Sequence, residues 1–189
     1  MNWLKQMRLL STMRAGTGRG SRHRRAPRSR PQLEQLERRS LLSLVLQGTF
    51  TTGSSPFAVA VADVNTDGKL DLAVVNPGST TVSVLLGNGN GTFAAKQDFT
   101  TGTNPRSVAV ADVNGDGKPD VAVANFNSNT VNVLLGNGNG TFAAKQDFTA
   151  GSGADFLVAA DFNGDGKVDL AVVNYYSNTV SILLGKKKT

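Results

Sequence analysis

A nine-residue acidic loop occurs three times in this 189-residue chain, at a spacing of 49 residues. Each copy follows the pattern D-x-N-x-D-G-x-x-D, which places three carboxylates and one amide oxygen on a short segment. Such hard oxygen ligands suit Ca²⁺. The sequence therefore predicts three calcium-binding loops that hold about three ions. The predicted ligands are Asp63, Asn65, Asp67, Lys69 and Asp71, then Asp112, Asn114, Asp116, Lys118 and Asp120, then Asp161, Asn163, Asp165, Lys167 and Asp169.

The order of residue types within the loop indicates how each position would serve a cation. Side chains at positions 1, 3 and 5 point inward, the glycine at position 6 allows a sharp turn, and the lysine at position 7 offers its backbone carbonyl. The aspartate at position 9 closes the shell. An EF-hand is not expected, because position 12 is Val74, Val123 or Val172 where an EF-hand needs glutamate. Simple polar turns are the alternative interpretation, and magnesium is less suited to so many protein ligands.

Short β-strands must position these loops. Residues 84–100 and 133–149 are identical, so the repeat extends well beyond the loop. Segments rich in valine, threonine and phenylalanine, bounded by Gly/Asn clusters, are typical of strands and turns. Four strands in about 45–50 residues make one blade of a β-propeller. In the middle unit the predicted strands are Ser107–Ala111, Val121–Asn125, Thr130–Leu135 and Thr141–Thr149.

The calcium loop, the D-[LV]-A-V-[VA]-N strand that follows it and the G-N-G-N-G-T-F turn together resemble the FG-GAP (VCBS-type) repeat family. The resemblance covers about residues 49–189, and the predicted repeat domain is residues 46–189, in units of about 49–97, 98–146 and 147–189. Its best-known members form the seven-bladed propeller of integrin α-subunits. The resemblance implies an all-β propeller of four-stranded antiparallel blades, with calcium in the loop that joins the first two strands of each blade.

Strand alternation divides the loops between two faces. The calcium loops and Gly-Asn-Gly turns lie on one face and are nearly the same in every repeat, whereas the loops predicted on the opposite face differ. We therefore expect the opposite face to contact a ligand, although loops also vary where nothing constrains them. The candidate contact residues are Asn104, Arg106, Phe126, Tyr175 and Tyr176.

The array of about three blades is short for a propeller, which typically closes with 4–8 blades. The third unit reaches Leu183-Leu184-Gly185 and then departs from the repeat. Three interpretations stay open: an incomplete propeller, a propeller completed by self-association, and a fragment of a larger exported repeat protein.

The N-terminal region, residues 1–45, differs sharply in composition from the repeats. Residues 1–50 hold 11 Lys and Arg against two Glu, whereas the remainder holds nine against 12 Asp. This basic region is predicted to be largely disordered. Nucleic-acid binding is not expected, because no aromatic residues are interleaved with the basic run. The segment 36–43 (LERRSLLS) resembles the LEPR-XLL segment of exported bacterial surface proteins, with Arg38 where proline is usual. This favours a targeting role and a secreted or cell-surface location, with a plain disordered tail as the alternative.

Catalysis is not expected from this composition. The only histidine, His23, lies in the basic tail, so the repeats hold no base for a Ser-His or Cys-His nucleophile. There is no cysteine, and no apolar stretch approaches the ~20 residues that span a bilayer. The leading interpretation is a non-catalytic, calcium-stabilised extracellular binding or adhesion module for a protein or glycan. A carbohydrate-binding lectin is the alternative, with Tyr175 and Tyr176 as the available aromatic platform.

Overall fold

The computed structural model describes residues 44–186, and the predicted targeting segment and most of the basic tail lie outside this range. The described residues form eleven β-strands. In chain order they are β1 (Ala58–Ala62), β2 (Asp71–Asn76), β3 (Thr81–Leu85), β4 (Gln97–Thr100), β5 (Pro105–Ala111), β6 (Asp120–Asn125), β7 (Thr130–Leu134), β8 (Gln146–Thr149), β9 (Ala154–Ala160), β10 (Asp169–Asn174) and β11 (Thr179–Leu183).

The strands form three antiparallel sheets in which strands consecutive in the chain are neighbours. The first sheet contains β1 to β4, the second β5 to β8, and the third β9 to β11. The prediction of an all-β chain built from about three antiparallel propeller-like blades is thereby confirmed. The third sheet differs from the other two in having three strands.

The fourth strand of the middle unit is shorter than the sequence predicts. Thr141–Thr149 was the expected strand, but the ladder is limited to Gln146–Thr149. The preceding turn accounts for the difference, because the Asn139 amide oxygen accepts hydrogen bonds from both the backbone nitrogen and the hydroxyl of Thr141. Phe142 then forms an isolated bridge with Gly136. Side-chain bonding to the local backbone competes with strand pairing at this point.

The three sheets pack face to face in chain order, with their first strands adjacent. Ala73, Val75 and Val82 of the first sheet bury their side chains against Val108 and Val110 of the second. A corresponding cluster lies between the second and third sheets, where Val131 and Val133 pack with Leu157 and Leu170. Alternating alanine and valine side chains on β1 and in the second half of β5 allow these strands to approach closely.

Within residues 44–186, no sheet covers the two outer faces of the stack. Val59 and Val61 on the first sheet and Val180 and Ile182 on the third are each more than half exposed. Residues 44–186 therefore form a partial propeller, with the sheets side by side and not closed into a ring. Among these residues no helix has the length and apolar character needed to cross a membrane.

Candidate metal loops and recognition face

The three acidic loops lie at equivalent places, each joining the first and second strands of its sheet. In the first loop, Asp63 accepts hydrogen bonds from the backbone nitrogens of Asp67 (3.1 Å) and Gly68 (2.7 Å). The Asn65 amide oxygen accepts a further bond from Asp67 N at 3.1 Å. The same bonds recur in the second and third loops. The backbone thus orients the side chains at positions 1 and 3.

Position 6 of each loop has a left-handed backbone, with φ of 81° at Gly68, 83° at Gly117 and 80° at Gly166. Glycine adopts this conformation without a steric cost, as the loop pattern requires. Position 4 is also left-handed, and there the first loop departs from the others. It holds Thr66 at φ 60°, whereas the second and third loops hold glycine.

Replacing Thr66 by glycine is expected to raise the free energy of unfolding by about 0.5–1 kcal/mol. The left-handed backbone costs a β-branched residue roughly 1–2 kcal/mol, and part of that gain is offset by the greater chain entropy of glycine. The measurement is urea denaturation followed by circular dichroism. The matched control is Gly115→Thr, which should lower the stability by a similar amount. An unchanged midpoint for both variants would contradict the assignment of strain.

The aspartate at position 9 is buried and joins two loops of its sheet. Asp71 accepts hydrogen bonds from Val64 N at 2.9 Å and from Gly87 N at 2.7 Å, so both of its oxygens bind backbone amides. Asp120 and Asp169 make the same pair of bonds. This carboxylate fastens the acidic loop to the turn between strands three and four. Its predicted role as a metal ligand stays a prediction.

The glycine that donates to this carboxylate sits too close to the neighbouring chain for a side chain. A Cβ at Gly136 would collide with the carbonyl oxygen of Pro119, and one at Gly87 with that of Leu70. The acidic loop and the Gly-Asn-Gly turn are therefore in backbone contact at the same end of the sheet.

Burial and local hydrogen bonds shift the pKa values of the loop carboxyl groups in opposite directions. Burial raises the pKa of Asp120 above its ordinary value, although the backbone bonds from Gly136 and Val113 act to lower it. Ionising Asp120 therefore costs stability: its contribution favours the fold below the ordinary pKa and is lost as pH rises through the raised value. In contrast, the backbone bond from Lys69 lowers the pKa of Asp67, and the Lys167 ammonium lowers that of Asp165.

The exposed part of each loop offers a donor set that fits calcium. Asp63, Asn65 and Asp67 present carboxylate and amide oxygens, each of which can accept a further partner beyond its backbone bond. The backbone carbonyl of Lys69 adds a fourth oxygen. Across residues 44–186, no three or more acidic, histidine or cysteine side chains converge on one point, and the position-9 aspartates are buried. The donors are hard oxygens throughout, which is the ligand type of Ca²⁺ and not of a softer metal.

The variable loops lie together at the opposite ends of the strands. In each sheet the loop between strands two and three bonds to the segment before strand one, as when Phe126 N donates to Asn104 O at 2.9 Å. Gly78 N donates to Ser54 O in the first sheet, and Tyr175 N to Gly153 O in the third. We call the surface made by these two sets of loops the candidate recognition face.

The structure brings four of the five predicted contact residues into one cluster. The Arg106 guanidinium carbon lies 3.7 Å from the centroid of the Phe126 ring. That ring is 5.1 Å from Tyr176 and 6.1 Å from Tyr175, and the two tyrosine rings meet edge to face at 5.3 Å. The fifth residue, Asn104, bonds through its amide to Asn127 at 3.2 Å.

Exposure separates the members of this cluster by role. Phe126 is only 5% exposed and supports the other side chains from beneath, whereas Tyr175 and Tyr176 are 62% and 64% exposed. A ligand on this surface would therefore touch the tyrosines and the edge of Arg106.

Two residues at this site escape a repeat-by-repeat reading of the sequence. Asp155 accepts a hydrogen bond from the Arg106 guanidinium at 3.2 Å, and Phe57 lies 5.8 Å from the same guanidinium. Phe57, Arg106 and Asp155 occupy the same position in successive repeats, 49 residues apart. The three side chains line up across the stacked sheets, and the repeat register is the signal that could have found them.

Comparison with known proteins bears on the repeats themselves. A search among curated proteins finds no match to the chain. A family model for an FG-GAP-like repeat matches residues 63–123 and again residues 112–172, which together exceed half of the chain. The chain therefore belongs to the FG-GAP-like repeat family.

Proposed function

We propose that this chain is a calcium-stabilised extracellular binding or adhesion module without catalytic activity. The observation that carries the proposal is the separation of the two sites: acidic loops lie at one end of the strands and an exposed aromatic cluster with Arg106 at the other. Rigid sheets hold both sets of loops, as in other proteins that carry binding loops on a fixed scaffold. The proposed location is secreted or cell-surface.

In this proposal calcium has a structural part. Asp63, Asn65 and Asp67 would hold one ion with the Lys69 carbonyl, and the equivalent residues would hold two more. The ion supplies positive charge to a loop whose own carboxylates repel one another. Affinities on the order of 10⁻⁴–10⁻³ M, which are typical of extracellular modules, match the calcium concentrations found outside cells.

The candidate recognition face supplies the binding part. Tyrosine and arginine are enriched among the residues that dominate binding energy at protein interfaces. Tyr175 and Tyr176 offer large exposed rings whose positions are fixed by packing on Phe126. Arg106 is held by Asp155 and by the Phe126 ring, so little of its freedom is lost when a partner binds.

Replacing Tyr175 and Tyr176 together by alanine is expected to weaken binding by at least about tenfold, because each ring is an exposed anchor. The measurement is surface plasmon resonance against the strongest binder from a panel of purified extracellular-matrix proteins. The control is Asn90→Ala, in an exposed turn on the opposite face. Loss of binding in Asn90→Ala, with the tyrosine variant unaffected, would place the ligand on the wrong face for this proposal.

Carbohydrate binding is a second candidate, supported by the two exposed tyrosine rings. Sugars stack on aromatic faces whose polar edges remain available for hydrogen bonds. A glycan array with the native protein and the double tyrosine variant separates the candidates. Glycan signals that depend on the tyrosines favour the lectin, and a blank array with retained binding to a matrix protein favours the adhesion module.

A further inference from the structure

The third sheet has an open edge. Strand β11 pairs with β10 on one side, whereas the equivalent strands β3 and β7 each pair with a fourth strand as well. Within residues 44–186 no strand pairs with its outer side, so the backbone groups there are available for pairing. A cavity of about 580 Å³ lies beside this edge, lined in part by Val133, Phe148 and Leu183. One junction earlier, the corresponding space is occupied by Phe142, which packs on Phe99.

Whereas the third sheet lacks a fourth strand, residues 48–51 are a fourth-strand segment without a sheet to join. They precede β4 by 49 residues and β8 by 98, so they stand at the fourth-strand position of the repeat but form no strand. Phe50 nevertheless packs on Phe93 at 5.1 Å, as Phe99 packs on Phe142 at 5.1 Å. Gly53 N donates to Ser83 Oγ at 3.1 Å, and the equivalent bond recurs at Gly151. This segment is thus held as a fourth strand that lacks its sheet.

The outer face of the third sheet and the outer face of the first sheet are complementary, as are the open edge and residues 48–51. Val180 and Ile182 are 60% and 52% exposed, while Val131 and Val133 at the same repeat positions are 0% and 6% exposed. On the first sheet, Val59 is 57% exposed, whereas the equivalent Leu157 is 2% exposed. The apolar side chains exposed on each outer face therefore occupy repeat positions that are buried where two sheets of the same chain pack together.

We propose that the third sheet of one chain binds the first sheet of a second copy, whose residues 48–51 add to β11 as its fourth strand. The contact repeats both the face-to-face packing and the edge pairing of the internal junctions. The repeat register fixes the pairs, since Thr81, Val82, Ser83 and Val84 pair with Thr100, Phe99, Asp98 and Gln97. The expected partners between copies are Thr179 with Thr51, Val180 with Phe50, Ser181 with Thr49, and Ile182 with Gly48.

A second copy of this chain is the proposed occupant because it brings both matching parts in one piece. The added strand satisfies the open edge, and the valines of its first sheet cover Val180 and Ile182. The contact is head to tail, so it closes into a ring when the rotation permits. Two copies would give about six blades, within the range of about 4–8 at which propellers close.

Disulfide cross-linking in the full-length chain tests the register without background, because the chain has no cysteine. The equivalent internal pair is in direct contact, with Ser83 Oγ 2.6 Å from Asp98 Oδ1. We therefore expect Thr49→Cys and Ser181→Cys, prepared separately and mixed under mild oxidation, to form a covalent dimer. Thr51→Cys mixed with Ser181→Cys is the matched control, because diagonal neighbours lie roughly 7–8 Å apart and are beyond disulfide reach.

The expected result is at least about tenfold more covalent dimer for the in-register pair than for the control. Light scattering in millimolar calcium provides the second readout, with the native chain at twice or more of its 19.8 kDa mass. Val180→Asp should return the mass to that of one chain, and its melting curve should show that it still folds. Equal cross-linking of both pairs, a monomeric native chain, or association that survives Val180→Asp would overturn the proposal.

Discussion

Replacing Asp120 by alanine is expected to lower the free energy of unfolding by about 2–5 kcal/mol. The substitution leaves the backbone nitrogens of Val113 and Gly136 without their buried acceptor, and each unsatisfied buried donor costs roughly 1–3 kcal/mol. The loss should appear equally with calcium and with a chelator, because the carboxylate fastens two loops through backbone bonds. Urea denaturation of the native and variant chains under both conditions measures it.

The matched control is Asp112→Ala in the same loop. Asp112 also accepts backbone hydrogen bonds, but on the exposed side of the loop, where water can replace it. We expect this variant to lose little stability in chelator and to lose part of the stabilisation that calcium gives. If Asp120→Ala were as stable as the native chain in chelator, the fastening role would be wrong, and a loss confined to calcium would indicate a purely metal-binding role.

Removal of calcium is expected to lower the free energy of unfolding by about 1–4 kcal/mol relative to millimolar calcium. That range follows for three sites with dissociation constants of roughly 10⁻⁴–10⁻³ M that bind only the folded chain. The physical cause is the repulsion among carboxylates concentrated in each exposed loop. Thermal unfolding followed by circular dichroism, with and without chelator, measures the effect.

A set of variants can check whether the acidic loops are the source of the calcium-dependent stabilisation. Asp63→Asn, Asp112→Asn and Asp161→Asn should each remove about one third of the calcium-dependent shift, since the three loops carry the same predicted ligands at the same positions. Magnesium should restore little of the shift, because it prefers to keep several waters. A melting temperature that chelation leaves unchanged would refute the coupling of calcium to folding.

The repeat pattern was sufficient to predict the strands and their order, because each blade is built from local contacts. The strand that leaves the loop, predicted as Val121–Asn125, runs from Asp120 to Asn125, one residue longer at its start. The glycine at position 6 also follows from the loop pattern, since a residue with a side chain would be strained at the φ of 83° that Gly117 adopts. Local chemistry determines these features, and a single repeat contains it.

Contacts between repeats were harder to predict. The loop position of Phe126 predicts a surface residue, but the stacking of the second and third sheets buries it under Arg106 and the tyrosines. The ion pair between Arg106 and Asp155 joins residues 49 positions apart, and nothing in either loop alone indicates it. The fastening role of Asp71 likewise depends on Gly87, which a turn brings back from 16 residues further along.

Among residues 44–186 only the middle sheet has a packed neighbour on each side, so the backbone is unequally protected along this part of the chain. In a stack whose units contact only their neighbours, a unit with one neighbour opens at a lower free energy than a unit with two. In the single chain, as in the Val180→Asp variant, β6 should therefore exchange its amide hydrogens most slowly and β11 among the fastest. Tyr175 and Tyr176 lie on the loop between β10 and β11, so a partner bound there holds a part of the chain that otherwise opens readily. The free energy needed to order the third sheet then reduces the apparent affinity for the partner. A contact that already covers β11 removes this reduction.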